Sequence, residues 1–364
     1  MGVMSPAVDA PGSVLVYVGL DLVGDGLIRL PFVRALRNAF PSAEITWLAG
    51  RGRSVYAHAL APLVEGLIDE VVEEADVGRS WTELLARPLR GTALQGRHFD
   101  LVIDSQRRVA TTLLVKRIPH GTFVSGTARF RFSELQPDAA RPAGPAAVGR
   151  LLGLVELASG RAADTSPPLV CDLRFDRLAE RLLPAGRGYV GFSPGGPSAQ
   201  LCWPLERFLA LAEAQLAAGR VPVIFLGPQE SDWAETVSRR LPDALLPLQD
   251  EATEGIEPSP ILTIALARRL SVAVANDTGV GHMFAAADCP LVSLFGPTRP
   301  EKFAPLVSRR RVLRAQDHGG TKMACIPQQA VEDAVNALLD EADDRRATPR
   351  PAAWESRLSA GVSR

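Results

Sequence analysis

In four places, small polar or acidic side chains sit among glycines directly after a short apolar run. Asp25, between Gly24 and Gly26, precedes a helical pattern. A carboxylate there can cap the helix by accepting bonds from free backbone N–H groups, or act as a general base that takes a proton from a hydroxyl. Spacing alone favours the cap. In the run Ser193-Pro194-Gly195-Gly196-Pro197-Ser198, the glycines allow an anion close to the backbone, and a following helix adds free N–H groups. It matches neither a G-x-G-x-x-G fingerprint nor a P-loop, and a plain strand-to-helix turn explains it equally well. The third place is Asn276-Asp277-Thr278-Gly279-Val280-Gly281-His282, a polar cluster between AVAV and FAAA. Asp277 closes an apolar run, Thr278 brings a hydroxyl to a helix start, and Gly279 permits close approach. Asp277 as a second N-cap and His282 as a satisfied core histidine are the alternative readings. In the fourth, Gly296-Pro297-Thr298 with Pro300 and Glu301, Thr298 can bond a phosphate or ribose, although turn chemistry also accounts for the prolines and glycine.

The elements needed to hold these segments occur twice. Residues 13–19 and 44–49 are short apolar strands around a helix over 26–39, and 99–104 is a strand ending in Asp104. A short helix at 54–60, a strand within 66–72 and a helix through 111–116 complete that half. From Glu134 to Pro168, Pro, Ala, Gly and Asp crowd around one helical patch at 148–157, which reads as a connection. The pattern then restarts with strands at 189–193, 221–226, near 244–248, 271–275, 290–295 and 311–315. Helices are expected at 204–218, 230–240, 260–270, 280–287 and 328–340. Strands alternating with helices imply parallel sheets covered on both faces, with ligands at the strands' carboxyl ends. The expected organisation is a first Rossmann-like domain over 1–160, a linker over 161–185, a second Rossmann-like domain over 186–345 and a tail over 346–364. The tail is rich in Arg, Pro and Ala, with a weak helical patch at 354–358.

Composition narrows the classes. The 364 residues are 46% hydrophobic and 22% charged, with 40 basic against 41 acidic residues. That is enough apolar material for two cores, and it lacks the net positive charge of a nucleic-acid binder. Lys116, Lys302 and Lys322 are the only lysines; so strong an arginine bias is better explained by codon usage than by a phosphate-binding surface. Cys171, Cys202, Cys289 and Cys325 form no C-x-x-C pair, so neither a zinc site nor a disulfide framework is expected. The apolar run 14–20 is too short to span a bilayer and ends at Asp21. We expect a soluble, cytoplasmic protein with at most peripheral contact with the inner membrane.

The segment NDTGVGHMFAAADCPLVSLFGPTRPEKFAP resembles the signature of glycosyltransferase family 9, the ADP-heptose:lipopolysaccharide heptosyltransferases. GDGLIRLPFVRALRNAFPSAEITWL, FDLVIDSQRR, WPLERFLALAEAQLAAGRVPVIFLGPQE and ACIPQQAVEDAVNALL are similar to other blocks of that family. The resemblance covers nearly the whole chain except the connection and the tail. It implies a GT-B fold, two Rossmann-like domains whose parallel sheets face a central cleft. The implied reaction moves a heptose or related sugar from a nucleotide-diphosphate donor, ADP-heptose in the family's own case, to a hydroxyl of a lipopolysaccharide-type or other glycan acceptor, free or lipid-linked, inverting the anomeric carbon. No metal or cofactor is expected. Asp25 takes the place of the catalytic base. Ser193, Gly195, Gly196 and Ser198 join Asp277, Thr278, Gly279 and His282 around the donor, and Glu230 is placed for the ribose hydroxyls. Arg107 and Arg108 are candidates for an anionic acceptor. One position departs from the pattern: two residues before Trp203-Pro204, where the family carries a lysine, this chain has Leu201. Arg207, His282 or the 195–198 backbone would then have to meet the diphosphate. Two alternatives follow, a sugar-nucleotide-binding homologue without turnover and a nucleotide-sugar epimerase on the same fold.

Overall fold

A computed structural model describes residues 7–20, 22–75, 77, 94–137, 146–166, 173–256 and 259–347. In the first lobe the elements are β1 (Ser13–Val18), α1 (Val23–Ala39), β2 (Glu44–Ala49), α2 (Ala61–Val64), β3 (Glu70–Val72), β4 (Phe99–Asp104), α3 (Val109–Val115), β5 (His120–Ser125) and α4 (Ala147–Ser159). The second lobe holds α5 (Leu173–Leu182), β6 (Tyr189–Ser193), α6 (Leu205–Ala217), β7 (Val221–Ile224), α7 (Trp233–Arg240), α8 (Pro260–Ala267), β8 (Val272–Asn276), α9 (Gly279–Ala286), β9 (Leu291–Phe295), α10 (Pro300–Phe303), β10 (Arg310–Arg314) and α11 (Gln328–Ala347). Helix α5 falls within 161–185 and packs on α8, while α4 packs on α1. The helical patch at 354–358 lies outside the described residues.

Each lobe is built on one five-stranded sheet, ordered β3-β2-β1-β4-β5 and β10-β9-β8-β6-β7, and every strand pair is parallel. The central strands are buried on both faces, so β1, β6, β8 and β9 read as near-continuous apolar runs rather than as alternating ones. In both sheets the chain winds outward in opposite directions from one central pair, β1/β4 in the first and β6/β8 in the second. Beyond the carboxyl ends of such a pair the two crossover connections part and leave a crevice for ligand. One apolar cluster runs through both lobes, joined where α1 packs on α9.

Several expected elements differ in detail. Helix α1 starts at Val23 with Leu22 in the cap position and no side-chain cap. Asp25 therefore lies inside the first turn and does not cap the helix, although its charge still complements the helix N-terminus. The helix expected over 54–60 is a single 3-10 turn, Val55–Ala57, whose Ser54 hydroxyl accepts from Tyr56 N at 3.2 Å. The strand expected near 244–248 is reduced to one parallel bridge, Val223 to Leu245; Pro247 has no N–H to extend it. Helix α7 begins only at Trp233, after a 3-10 turn over Pro228–Glu230. Strand β5 is not visible in the sequence, because its first half, His120-Gly121-Thr122, is polar and only Phe123, Val124 and Ser125 are buried.

Candidate active site at the carboxyl ends of the two sheets

The sequence-selected residues of the second lobe gather at its β6/β8 pair. Ser193 ends β6 and is buried, and the 194–198 turn leaves the sheet beside the end of β8. Asn276, the last residue of β8, holds that turn in place. Its Nδ2 donates to Pro194 O at 2.9 Å and Gly195 O at 3.1 Å, and its Oδ1 accepts from Trp203 N at 3.0 Å. The sequence gives Asn276 no role beyond membership of its cluster, since its partners lie more than seventy residues away. Glu230 supplies the second anchor. Its Oε1 accepts from Gly196 N at 3.2 Å and its Oε2 from Gly227 N at 3.1 Å. The pattern Gly-x-x-Glu is the sequence trace of the second bond, a reciprocal cap of the 3-10 turn. At Gly195 a Cβ would stand 2.4 Å from the Glu230 carboxyl, so this position requires glycine.

Thr278 and Gly196 meet here. A Cβ on Gly196 would stand 3.2 Å from Thr278 Cγ2 and 2.9 Å from Cys202 Sγ. Thr278 occupies the N-cap position of α9 in extended conformation, but its hydroxyl makes no cap bond and is buried with no hydrogen-bond partner among the described residues. A buried hydroxyl without a partner costs free energy unless a ligand completes it. The space beside Gly279 is open to within 4 Å of a would-be Cβ. Asp277 is half-buried; burial pushes its carboxyl above the ordinary range, and the neighbouring Thr298 hydroxyl opposes the shift. Ser198 is exposed at the start of the turn Ala199–Leu201.

His282 lies one turn further along α9. It is buried, and desolvation lowers its pKa to about 4, so the ring is neutral near pH 7. It lines a cavity of about 480 Å³ between the lobes with Leu27, Ile28, Pro31 and Arg34 of α1. The helix that carries Asp25 thus packs directly on the helix that carries Thr278 and His282. Asp25 itself is half-exposed, with Arg29 Nη2 at 4.0 Å from its Oδ1. Its turn is tied down by Tyr56 Oη, which donates to Gly26 O at 2.7 Å. Arg107 and Arg108 are exposed in the loop after β4, the strand beside β1.

A second cavity, of about 820 Å³, opens at the carboxyl edge of the β6–β9 sheet. Gly196, Trp203, Glu230, Trp233, Lys322 and Met323 line it. The last two lie on a strap that follows β10 and that the sequence does not connect to the site. Among the described residues, no group of three or more His, Cys, Asp or Glu side chains is placed to hold a metal ion. No helix among them is long and apolar enough to cross a membrane.

Two parallel α/β lobes, with polar loops at both switch points and the lobes in contact through α1 and α9, make this a GT-B protein. The chain belongs to glycosyltransferase family 9 (heptosyltransferase), whose sequence model matches residues 90–333. It is 25% identical over 357 residues to lipopolysaccharide heptosyltransferase 2 of Salmonella typhimurium, covering 90% of this chain and 99% of that protein. The glycosyltransferase family 9 structure from Veillonella parvula superposes with a TM-score of 0.66 at 20% identity, over 93% of this chain and 100% of that one. E. coli heptosyltransferase WaaC with ADP-2-deoxy-2-fluoro heptose gives 0.61 at 22% identity, over 89% and 99%. The family and fold expected from the sequence motifs are borne out.

Proposed function

We propose that this protein transfers a heptose from ADP-heptose to a hydroxyl of a lipopolysaccharide-type acceptor, with inversion and without a metal ion. The observation that carries the reading is the packing of α1 on α9, with Asp25 in the first turn of one helix and the unpartnered Thr278 hydroxyl at the start of the other. In the reaction, Asp25 takes the proton of the acceptor hydroxyl, and the acceptor oxygen forms its bond to the anomeric carbon from the side opposite the diphosphate. The bond from that carbon to the diphosphate oxygen breaks, and the nucleoside diphosphate leaves with the electron pair. The α9 N-terminus and Thr278 meet the charge that develops on it. Asp277 and Gly279 border the sugar, and Ser193, Gly195, Gly196, Ser198 and Glu230 form the wall of the nucleotide pocket. His282, neutral, serves as a hydrogen-bonding group rather than as a cation. Arg107 and Arg108 contact an anionic acceptor, which the enzyme meets peripherally at the cytoplasmic face of the inner membrane. The domain limits 1–160 and 186–345, with 161–185 between them, are the division we adopt.

A donor-binding homologue without turnover has less behind it. Its motive is Leu201, whereas the relative that matches over nearly its full length is named as a transferase, and Asp25 has a half-exposed carboxylate. The test is sugar transfer from ADP-heptose to a lipid-linked acceptor by wild type and Asp25→Asn. Asp25→Asn is expected to lose at least about 100-fold in turnover, the usual worth of a positioned base, with ADP affinity unchanged. Full activity in Asp25→Asn would remove the base assignment. Tight donor binding by wild type with no transfer to any acceptor would favour the binding-only homologue.

A further inference from the structure

Leu201 leaves the donor pocket without the lysine that the family resemblance implies, and the structure restricts the substitutes that the sequence offers. Arg207 is spent on the strap after β10: its Nη1 donates to Ala324 O at 2.8 Å and Ile326 O at 2.7 Å, and its guanidinium lies over the Trp203 ring. His282 is neutral and lines the interlobe cavity. In the 195–198 backbone, Gly196 N is already bonded to Glu230. We propose that Lys322, which lines the same cavity as Gly196 and Glu230, is the cation that meets the donor's diphosphate and replaces the missing lysine.

Three observations support this assignment. Lys322 is the only cationic side chain among the described residues lining the 820 Å³ cavity, and it shares that cavity with Gly196 and Glu230. Its backbone is held firmly. Trp203 Nε1 donates to Ile326 O at 2.9 Å, Arg207 clamps Ala324 and Ile326, and Met323 packs so closely on Gly296 that a Cβ there would stand 2.9 Å from its Sδ. The ammonium is also uncommitted. Lys116 pairs with Glu134 and Lys302 lies over the Phe303 ring, but the exposed Lys322 makes no ion pair with any described residue. Glu230 shares the cavity but forms no ion pair with it, and its two carboxylate oxygens accept backbone N–H groups from Gly196 and Gly227. A flexible four-carbon stem with a compact charge at its tip can follow a phosphate that Leu201 cannot attract.

The inference rests on the proposed nucleoside-diphosphate donor, so the test separates the two. Calorimetry measures ADP, GDP and UDP binding to wild type, Lys322→Met and Lys322→Arg at low and moderate salt, with melting curves as a folding check. For the nucleotide that wild type binds, Lys322→Met is expected to weaken affinity about tenfold, the scale of one charge-assisted contact. Lys322→Arg should keep most of the affinity, and the salt dependence of Lys322→Met should be shallower than that of wild type. Affinity in Lys322→Met within about twofold of wild type, or an equal loss in Lys322→Arg, overturns the assignment while leaving the donor reading intact. If wild type binds none of the three nucleotides, the donor reading falls and the role of Lys322 falls with it.

Discussion

Asn276→Asp changes one heavy atom and tests how the 194–198 loop is held. In the wild type, Nδ2 donates to Pro194 O and Gly195 O while Oδ1 accepts from Trp203 N, all at a side chain that is 1% exposed. An ionised aspartate keeps the bond from Trp203 but turns an oxygen toward two carbonyls. A protonated aspartic acid restores one of the two donated bonds and loses the other, about 1 kcal/mol. Keeping the acid protonated costs about 1.4 kcal/mol for each pH unit above its unfolded pKa of about 3.9, so about 4 kcal/mol at pH 7. The penalty therefore has a ceiling of about 5 kcal/mol near pH 7 and falls toward about 1 kcal/mol near pH 4. The sign follows from linkage: the folded variant binds the proton more tightly than its unfolded chain, so its stability relative to wild type falls as pH rises. Urea unfolding of both proteins at pH 4.5, 6 and 7.5 measures this, and taking the difference cancels slopes that wild type and variant share. A penalty below about 1 kcal/mol at pH 7.5, or one independent of pH, would refute the role of Asn276 as the anchor of the loop.

Two further predictions concern α9. Thr278→Val removes a buried hydroxyl that has no partner among the described residues, so stability should not fall and should rise by about 1 kcal/mol while ADP affinity drops about tenfold; unchanged affinity in calorimetry would detach Thr278 from the donor. His282 has a folded pKa of about 4 against an ordinary 6.5. The stability due to its neutral ring is thus complete above about pH 6.5 and is lost as pH falls toward about 4, by up to about 3 kcal/mol. His282→Gln should flatten that part of the pH–stability curve, and identical slopes in the two proteins would show that the ring is not held neutral by burial.

Burial on both faces makes the central strands legible in the sequence. The near-continuous apolar runs at β1, β6, β8 and β9 are what a parallel sheet between two helix layers requires, and the turns after them carry the residues of the candidate site. Edge elements are less legible. Half of β5 is polar, and the expected strand at 244–248 keeps only one bridge beside Pro247. Asp25 illustrates a local misreading. A Gly-Asp-Gly stretch before a helical pattern invites a cap, yet α1 extends back to Val23, and the helix begins before the carboxylate.

The sequence by itself determined the local chemistry: two rounds of strand and helix, glycine turns at the strand ends, a carboxylate near a helix start, and the motifs that mark the family. Which of these meet is a tertiary matter, because strand order rather than chain order decides the neighbours at a sheet's carboxyl edge. Placing β8 beside β6 brings Thr278 against Gly196 and lets Asn276 hold Pro194, across more than eighty residues of chain. The same packing commits Arg207 to the strap after β10 and leaves Lys322 in the cavity without an ion-pair partner among the described residues. The scarcity of lysine was plain from composition, but only the folded chain put one of the three that remain into the cavity with Gly196 and Glu230.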